Sequence, residues 1–286
     1  MTTKMLYTDN NGRTSALPLI VAGMILLSLC AANFAVLHCE AEEMTKKKAE
    51  SKAGDPLELT IKDVKFRFRC CPAGTFTMGS PSSEKNRDNN ETPHQVTLTQ
   101  GFWMLETEVT QDMWKTVMAG NRGYFKGAKL PVESVSWSDC QEFVEKLNAL
   151  GTAPKGYKFS LPTEAQWEYA CRAGTTGAYA GDLDRMAWHR YNGERTTHEV
   201  GTKKANAWGL YDMHGNVWEW CSDWYGDYPA GNVTDPAGAS SGSRRVNRGG
   251  SWVSDALYCR SAYRYSLAPD RTVSDLGVRV SRVSGQ

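Results

Sequence analysis

Residues 209–224, GLYDMHGNVWEWCSDW, bring glycines, acids and tryptophans close together. Within this stretch Asp212, Gly215, Val217 and Glu219 can form a tight turn that offers two carboxylates and free backbone carbonyls. Such hard oxygen donors are the ligands that calcium takes. The same residues also suit a Gly-Asn turn in which the two acids only accept backbone hydrogen bonds. Both interpretations remain open, and we favour calcium.

The three tryptophans of this stretch indicate a β-strand beside the turn. Trp218 and Trp220 are two residues apart, which places them on the same face of a strand, and Trp224 follows four residues later. We interpret Trp220 and Trp224 as core residues, because large aromatic side chains stabilise a fold by burying their area.

Outward from this strand, the chain predicts short strands and three helices. Strand-like alternation of apolar and polar residues occupies residues 57–68, 74–78 and 96–98. Helical patterns cover residues 110–118, 136–150 and 163–172, with Ser136 and Thr163 as N-caps of the last two. Thr163 and Gln166 also fit a capping box. From residue 173 onward the composition predicts loops and short strands, which need disulfides or bound cations to hold them.

The N-terminal region predicts export from the cytoplasm. Residues 16–36 are apolar and uncharged, with Lys4 and Arg13 before them and acids after them. The length suits a membrane-spanning signal anchor, whereas Cys39-Glu40-Ala41 offers a site for signal cleavage. Both alternatives place the remainder of the chain outside the cytoplasm, attached to the membrane if the segment is not cleaved.

We therefore expect three regions: a signal peptide or anchor (residues 1–41), a flexible charged tether (42–58) and one domain (59–284). The 286 residues are 41% hydrophobic and 10% aromatic, which is enough for a core. Lysines and arginines number 33 against 32 acids, so the surface lacks the net positive field that attracts nucleic acid.

Five segments resemble, in order, spacing and length, the formylglycine-generating enzyme (sulfatase-modifying factor) family. They are PAGTFTMGS from Pro72, LPTEAQWEYACRAG from Leu161, GLYDMHGNVWEWCSDW from Gly209, RGGSWVSDALYCRSAYR from Arg248 and LGVRV from Leu276. The resemblance implies a compact α+β domain of low regular secondary structure, related to C-type lectins and holding structural calcium. It also implies a copper(I) enzyme that uses oxygen to convert a cysteine of an exported sulfatase to formylglycine.

The resemblance implies roles for individual residues as well. It assigns Asp212, Gly215, Val217 and Glu219 to the calcium site. It places Trp218 and Ser251 in the active-site pocket and Asp275 and Arg279 in contact with the substrate. Cys259 matches a cysteine of the family and is the candidate catalytic thiol.

The copper site departs from the family pattern. Copper(I) is soft and needs a close pair of thiolates, but Ser254 occupies the first cysteine position when the segment is aligned from its glycines. In a second alignment Cys259 instead matches a family cysteine that forms a structural disulfide, and its partner corresponds to Cys171. We favour the second alignment, which predicts a Cys171–Cys259 disulfide and no copper site.

Three hypotheses follow for the function. The chain is a formylglycine-generating oxidase, an enzyme with another chemistry in the same pocket, or a lectin-like module that binds a peptide or glycan without turning it over. An exported sulfatase or another polypeptide is the expected partner. The oxidase needs a free copper-binding thiol, whereas the binding module does not.

Overall fold

The computed structural model describes residues 51–285 and two short N-terminal strands, β1 (Met5–Thr8) and β2 (Thr14–Leu17). These two strands pair antiparallel and belong to a unit of their own. Apart from its first two positions, the predicted export segment at residues 16–36 lies outside the described residues, as does the tether up to residue 50. Within the described part of the chain, no helix has the length and apolar character needed to cross a membrane.

The larger unit is a mixed, sheet-rich domain with few helices. Its strands are β3 (Pro56–Ile61), β4 (Val64–Cys71), β5 (Gly74–Met78), β6 (His94–Leu98), β7 (Phe102–Leu105), β8 (Tyr157–Ser160), β9 (Trp218–Trp224), β10 (Val233–Thr234), β11 (Arg245–Arg248), β12 (Tyr265–Leu267), β13 (Leu276–Gly277) and β14 (Ser281–Ser284). Its helices are α1 (Gln111–Val117), α2 (Trp137–Ala149), α3 (Glu164–Arg172) and the short α4 (Leu183–Met186). The domain begins with β3 at Pro56, three residues before its predicted start at residue 59.

The strands of this unit form three sheets. A five-stranded antiparallel sheet has the order β3-β4-β7-β14-β8. A four-stranded sheet, β12-β11-β9-β13, contains the tryptophan-rich strand and pairs β9 with β13 in parallel. A three-stranded sheet has the order β10-β6-β5. The last strand, β14, therefore lies inside the five-stranded sheet, between β7 and β8.

Residues 57–68 form a hairpin, so the prediction of one strand there was wrong. Ile61 pairs with Val64 across a two-residue turn, and Pro56 lies opposite Arg69. The turn residues Lys62 and Asp63 have φ values of 46° and 69°. Two consecutive positive φ values are typical of the tight hairpin turns whose twist matches that of the strands.

The three predicted helices are confirmed, with bounds that agree to within one residue. The hydroxyl groups of Thr110, Ser136 and Thr163 each accept a hydrogen bond from a backbone N–H in the first turn of their helix. The capping box of Thr163 and Gln166 is complete in both directions. Such caps satisfy amide groups that have no partner inside the helix.

The core consists of two clusters of buried apolar side chains. In the first, Trp114 of α1 stacks on Phe143 of α2 with ring centroids 4.9 Å apart. Trp220 is fully buried in this cluster, as predicted, and donates its indole N–H to the Val135 carbonyl. The prediction that Trp224 is a core residue was wrong, because its ring is only half-buried and stacks on the guanidinium of Arg245.

Buried ion pairs join the C-terminal loops to the rest of the domain. The pairs are Glu91–Arg260, Glu164–Arg264, Glu168–Arg248 and Glu219–Arg279. In each pair both side chains are at most 4% exposed. Removal of one partner would leave an uncompensated buried charge, which costs about 3–5 kcal/mol. These contacts hold together a region for which the sequence predicted disulfides or cations.

Candidate functional site

The acidic turn before β9 depends on close backbone packing. Asp212 and Asn216 adopt φ values of 60° and 67°, so the chain turns sharply at both ends of this segment. A Cβ at Gly215 would lie 2.2 Å from the Trp188 carbonyl oxygen, so only glycine fits there. The turn leads directly into the strand that carries Trp218 and Glu219.

Glu219 is committed to a buried ion pair. Its two carboxylate oxygens accept from Arg279 Nε at 2.9 and 3.0 Å, and one of them also accepts from Arg279 Nη2 at 2.7 Å. Trp167 donates its indole N–H to the other oxygen at 2.7 Å. The guanidinium of Arg279 also bonds the carbonyls of Leu105 and Tyr211. Arg279 is thus fully buried among protein groups, which corrects the expectation that it contacts a substrate.

Two other acids meet beside this pair with oxygens that lack a protein partner. Asp212 accepts one bond, from the Gly201 N–H at 2.7 Å, and its Oδ1 accepts none. Neither carboxylate oxygen of Glu108 has a donor among the described residues, although this side chain is completely buried. A proton shared with Asp212 is the one side-chain hydrogen bond that the two acids can form with each other. Burial raises the pKa of Asp212 to about 6, and burial together with Asp212 raises the pKa of Glu108.

When both acids are ionised and share no proton, their oxygens lack donors, and oxygen ligands at one buried place fit a hard cation such as calcium. In residues 51–285 no three acidic, histidine or cysteine side chains surround a common point. Calcium would therefore need backbone carbonyls as further ligands, for which Gly215 and Val217 are the candidates. The acidic ligands that fit calcium are Asp212 and Glu108, whereas Glu219 is neutralised by Arg279.

The sequence analysis did not identify Glu108. It lies between β7 and α1, far along the chain from Asp212, and no short motif links the two positions. Only the tertiary fold brings the two acids together.

An aromatic pocket of about 430 Å³ opens beside the first residue of β9. Its lining residues are Trp218, Tyr258, Tyr263, Tyr265, Leu267, Arg271, Val273 and Asp275. The Trp218 ring lies 5.5 Å from that of Tyr265 and 6.1 Å from that of Tyr263, centroid to centroid. Tyr258 is 36% exposed and Tyr265 is 42% exposed. The predicted site residues Trp218 and Asp275 therefore do line one pocket.

Ser251 lies behind this pocket in a chain of hydrogen bonds. Its hydroxyl donates to Asp275 Oδ2 at 2.9 Å and lies 2.9 Å from the hydroxyl of Ser254. Because Ser251 donates to the carboxylate, Ser254 must be the donor in the bond between the hydroxyls. Burial raises the pKa of Asp275. Ser251 itself is completely buried, so it positions Asp275 rather than contacting a ligand.

Cys259 and Cys171 are free cysteines, so the predicted disulfide between them is not formed in the structure. The Cys259 Sγ lies 3.8 Å from the Asp255 carbonyl, whereas the Cys171 Sγ lies 3.6 Å from the Met213 carbonyl. Each thiol thus donates to a different backbone carbonyl. The disulfide prediction was wrong, since both sulfurs are thiols that contact separate backbone carbonyls.

The residues at this position do not fit a copper(I) centre. Cys259 is completely buried, and burial raises the pKa of its thiol to about 12, which opposes formation of a thiolate. The polar side chains behind and in the pocket, Ser251, Ser254 and Asp275, offer oxygen atoms, which are poor ligands for a soft ion. The donor set is therefore unsuited to the chemistry that the resemblance implies.

The sheets, the Gly-Gly-Ser turn behind the pocket and the buried acidic turn define a domain of the sulfatase-modifying factor type. The family model described as the sulfatase-modifying factor enzyme 1-like domain matches residues 68–283, and the chain belongs to this family.

The relatives of this chain carry different names. The chaperone protein LppX of Paenibacillus barcinonensis is 30% identical over 283 residues, which cover 78% of this chain and 97% of that protein. The formylglycine-generating enzyme of Streptomyces coelicolor is 35% identical over 171 residues, which cover 52% of this chain and 51% of that enzyme. Among solved structures, Treponema denticola variable protein 1 has a TM-score of 0.73 at 33% identity, covering 79% of this chain and 98% of that one. The chain thus spans about half the length of the formylglycine-generating enzyme that it matches.

Proposed function

We propose that this domain is a non-catalytic binding module whose aromatic pocket takes up side chains of a polypeptide. One observation carries the proposal: exposed tyrosines, Trp218 and Asp275 line the pocket, while no cysteine lines it and the Cys259 thiol is completely buried. Formylglycine formation would need an accessible pair of thiolates in this place. The family scaffold is retained, but the lining of this pocket contains no thiol.

The shape and chemistry of the pocket favour a peptide over a flat sugar ring. The planes of Tyr258 and Tyr263 are 70° apart and those of Trp218 and Tyr265 are 33° apart, so the rings form a cleft rather than a platform. A volume of about 430 Å³ lies in the range of small-ligand sites. Arg271 and Asp275 add one charge of each sign to the lining. A relative matched over nearly its whole length is named a chaperone protein, which agrees with a binding role.

The test is a selection of random peptides on the full-length protein, followed by affinity measurement on variants. Tyr265→Ala should weaken binding at least about tenfold, because exposed aromatic side chains at the centre of a site supply much of its binding energy. Tyr191→Ala is the matched control, because this tyrosine is 77% exposed and does not line the pocket. Equal binding by both variants would contradict the proposal.

A second assay distinguishes binding from oxidation. The protein is incubated with copper(I), oxygen and a peptide that contains the sulfatase cysteine, and the product is analysed by mass spectrometry. We expect the cysteine to remain unmodified. Formation of formylglycine would replace the binding proposal with the family's oxidase activity.

We also propose that the domain acts outside the cytoplasm. The support is the apolar segment at residues 16–36 with basic residues before it and acids after it. A fusion of the full chain to a reporter that is active only after export should be active. Loss of reporter activity after removal of residues 1–41, with the fusion still present in the cell, would confirm the role of that segment.

A further inference from the structure

A second cavity of about 490 Å³ lies among β6, the first turn of α3 and the loop after β9. Most of its wall is apolar or aromatic, from residues that include Met78, Ala165, Trp224, Tyr228, Val233 and Pro236. The aromatic pocket described above shares no lining residue with it. A ligand of the second cavity would therefore bind independently of the proposed peptide site.

The charges in the wall of the second cavity leave it negative. Arg264 donates to both carboxylate oxygens of Glu164, at 2.6 and 2.8 Å, so these two charges neutralise each other. The remaining acids in the wall are Asp223 and Asp227. In the part of the chain that the structure describes, neither forms an ion pair.

Asp223 has one carboxylate oxygen without a donor among the described residues. Its Oδ2 accepts from the Glu164 N–H at 3.0 Å and from the Ser222 hydroxyl at 2.9 Å, whereas no described residue donates to its Oδ1. The side chain is only 3% exposed. Gly238, at a φ of 77°, keeps the space open, because a Cβ there would lie 3.0 Å from Oδ1.

The two arginines that interact electrostatically with Asp223 are engaged in other contacts. Arg245 stacks between the rings of Trp137 and Trp224 and donates to the Ser222 carbonyl. Arg264 pairs with Glu164. Burial and the neighbouring Glu164 raise the pKa of Asp223 to about 7. Above that pH the folded protein holds a buried carboxylate with no positive partner in contact, which is costly unless a ligand supplies one.

We propose that the second cavity binds a small organic cation whose ammonium group contacts Asp223 Oδ1 and whose apolar body lies against Trp224 and Tyr228. A buried carboxylate attracts the ammonium group, and the apolar wall favours a hydrocarbon body. The ring of Tyr228 is held in place by His94 on one side, at 4.6 Å between centroids, and by the guanidinium of Arg264 at 3.8 Å. The site is therefore built before a ligand arrives.

The experiment is a calorimetric titration of the full-length protein with phenethylamine at about pH 8.5, where Asp223 is ionised. Phenethyl alcohol and phenylacetate serve as the neutral and anionic probes of matching shape. We expect phenethylamine to bind at least about tenfold more tightly than the alcohol, because only the amine pairs with a buried charge. Phenylacetate should not bind.

Variants then test where the amine binds. Asp223→Asn keeps the shape of the side chain and should reduce the affinity for phenethylamine at least tenfold, to about that of the alcohol. Ala237→Phe fills the exposed rim of the cavity without altering the carboxylate and should reduce binding of both probes. Glu145→Gln removes an equal charge from the exposed face of α2 and should change nothing.

Three results would overturn the proposal. They are no binding of phenethylamine by the wild-type protein, equal binding by wild-type protein and a folded Asp223→Asn variant, and undiminished binding by Ala237→Phe. Tyr265→Ala separates the two sites, since it should weaken the peptides selected on the aromatic pocket and leave phenethylamine binding unchanged.

Discussion

Glu108 and Asp212 are the residues whose contribution to stability should depend most strongly on a bound cation. Without one, two buried acids with unpartnered oxygens lie together, and Glu108→Gln should leave the protein equally or more stable because it removes one charge. With calcium the wild-type protein should become the more stable of the two. Calcium at a hundredfold excess over its Kd would stabilise it by about 2.7 kcal/mol. Thermal unfolding in chelator and in calcium measures both effects.

Glu106→Gln is the matched control for that prediction. Glu106 lies two residues away, but its carboxylate accepts from Arg69 Nε at 2.9 Å and belongs to a different contact. Calcium should stabilise this variant as much as it stabilises the wild-type protein. If calcium raised the melting temperature of the Glu108→Gln variant by the same amount, or stabilised none of the three proteins, the prediction of a calcium site at Asp212 and Glu108 would be wrong.

Individual residues show which parts of the site could be predicted from the sequence. Trp218 and Asp275 were expected in one pocket and lie there, because both flank short motifs that fix the local backbone. The predicted role of Arg279 was wrong. A guanidinium beside a pocket motif can point towards the pocket or into the protein core. Here it reaches Glu219, a contact between residues 60 positions apart that no local pattern reveals.

At the scale of the element, helix α3 is the best-defined piece of local structure. It carries Trp167, Glu168 and Cys171 into the core, and the capping box at Thr163 fixes where it begins. Thr163→Ala should therefore cost about 1 kcal/mol, because the Gln166 N–H loses the hydroxyl that accepts its hydrogen bond. Chemical denaturation monitored by tryptophan fluorescence measures the free energy of unfolding.

Thr272→Ala provides the control for the capping prediction. Thr272 is exposed, and no described hydrogen bond uses its side chain, so its replacement should change the free energy of unfolding very little. If the two variants had the same free energy of unfolding, the hydrogen bond of the cap would contribute nothing to stability.

The hairpin of β3 and β4 shows why an element can be misread from periodicity. Apolar residues occupy odd positions up to Ile61 and even positions from Val64 onward. A single strand would keep one phase, because its side chains alternate strictly between two faces. The change of phase marks the turn at Lys62 and Asp63, which lacks the glycine or asparagine that usually signals a hairpin.

For the whole molecule, long-range charge pairs take the place of the cross-links that were expected. Each of the four buried pairs joins an arginine between residues 248 and 279 to an acid much earlier in the chain or on β9. Short strands and loops alone make too few stabilising contacts to hold this half of the domain in one conformation. The sequence could predict that the loop-rich half needs such contacts, but it could not pair them, because each partner is set by the complete fold.

The state of the thiols tests this architecture in the whole molecule. The six described cysteines, Cys70, Cys71, Cys140, Cys171, Cys221 and Cys259, are all free and buried. An alkylating reagent should therefore label none of them in a native protein treated for a time short compared with unfolding. The reagent reaches a buried thiol only when the protein unfolds locally or globally. In denaturant without reductant it should label all six, and peptide mass spectrometry would count them. Recovery of Cys171 and Cys259 as one cross-linked peptide, separated only by reduction, would show that a covalent bond reinforces the ion pairs after all.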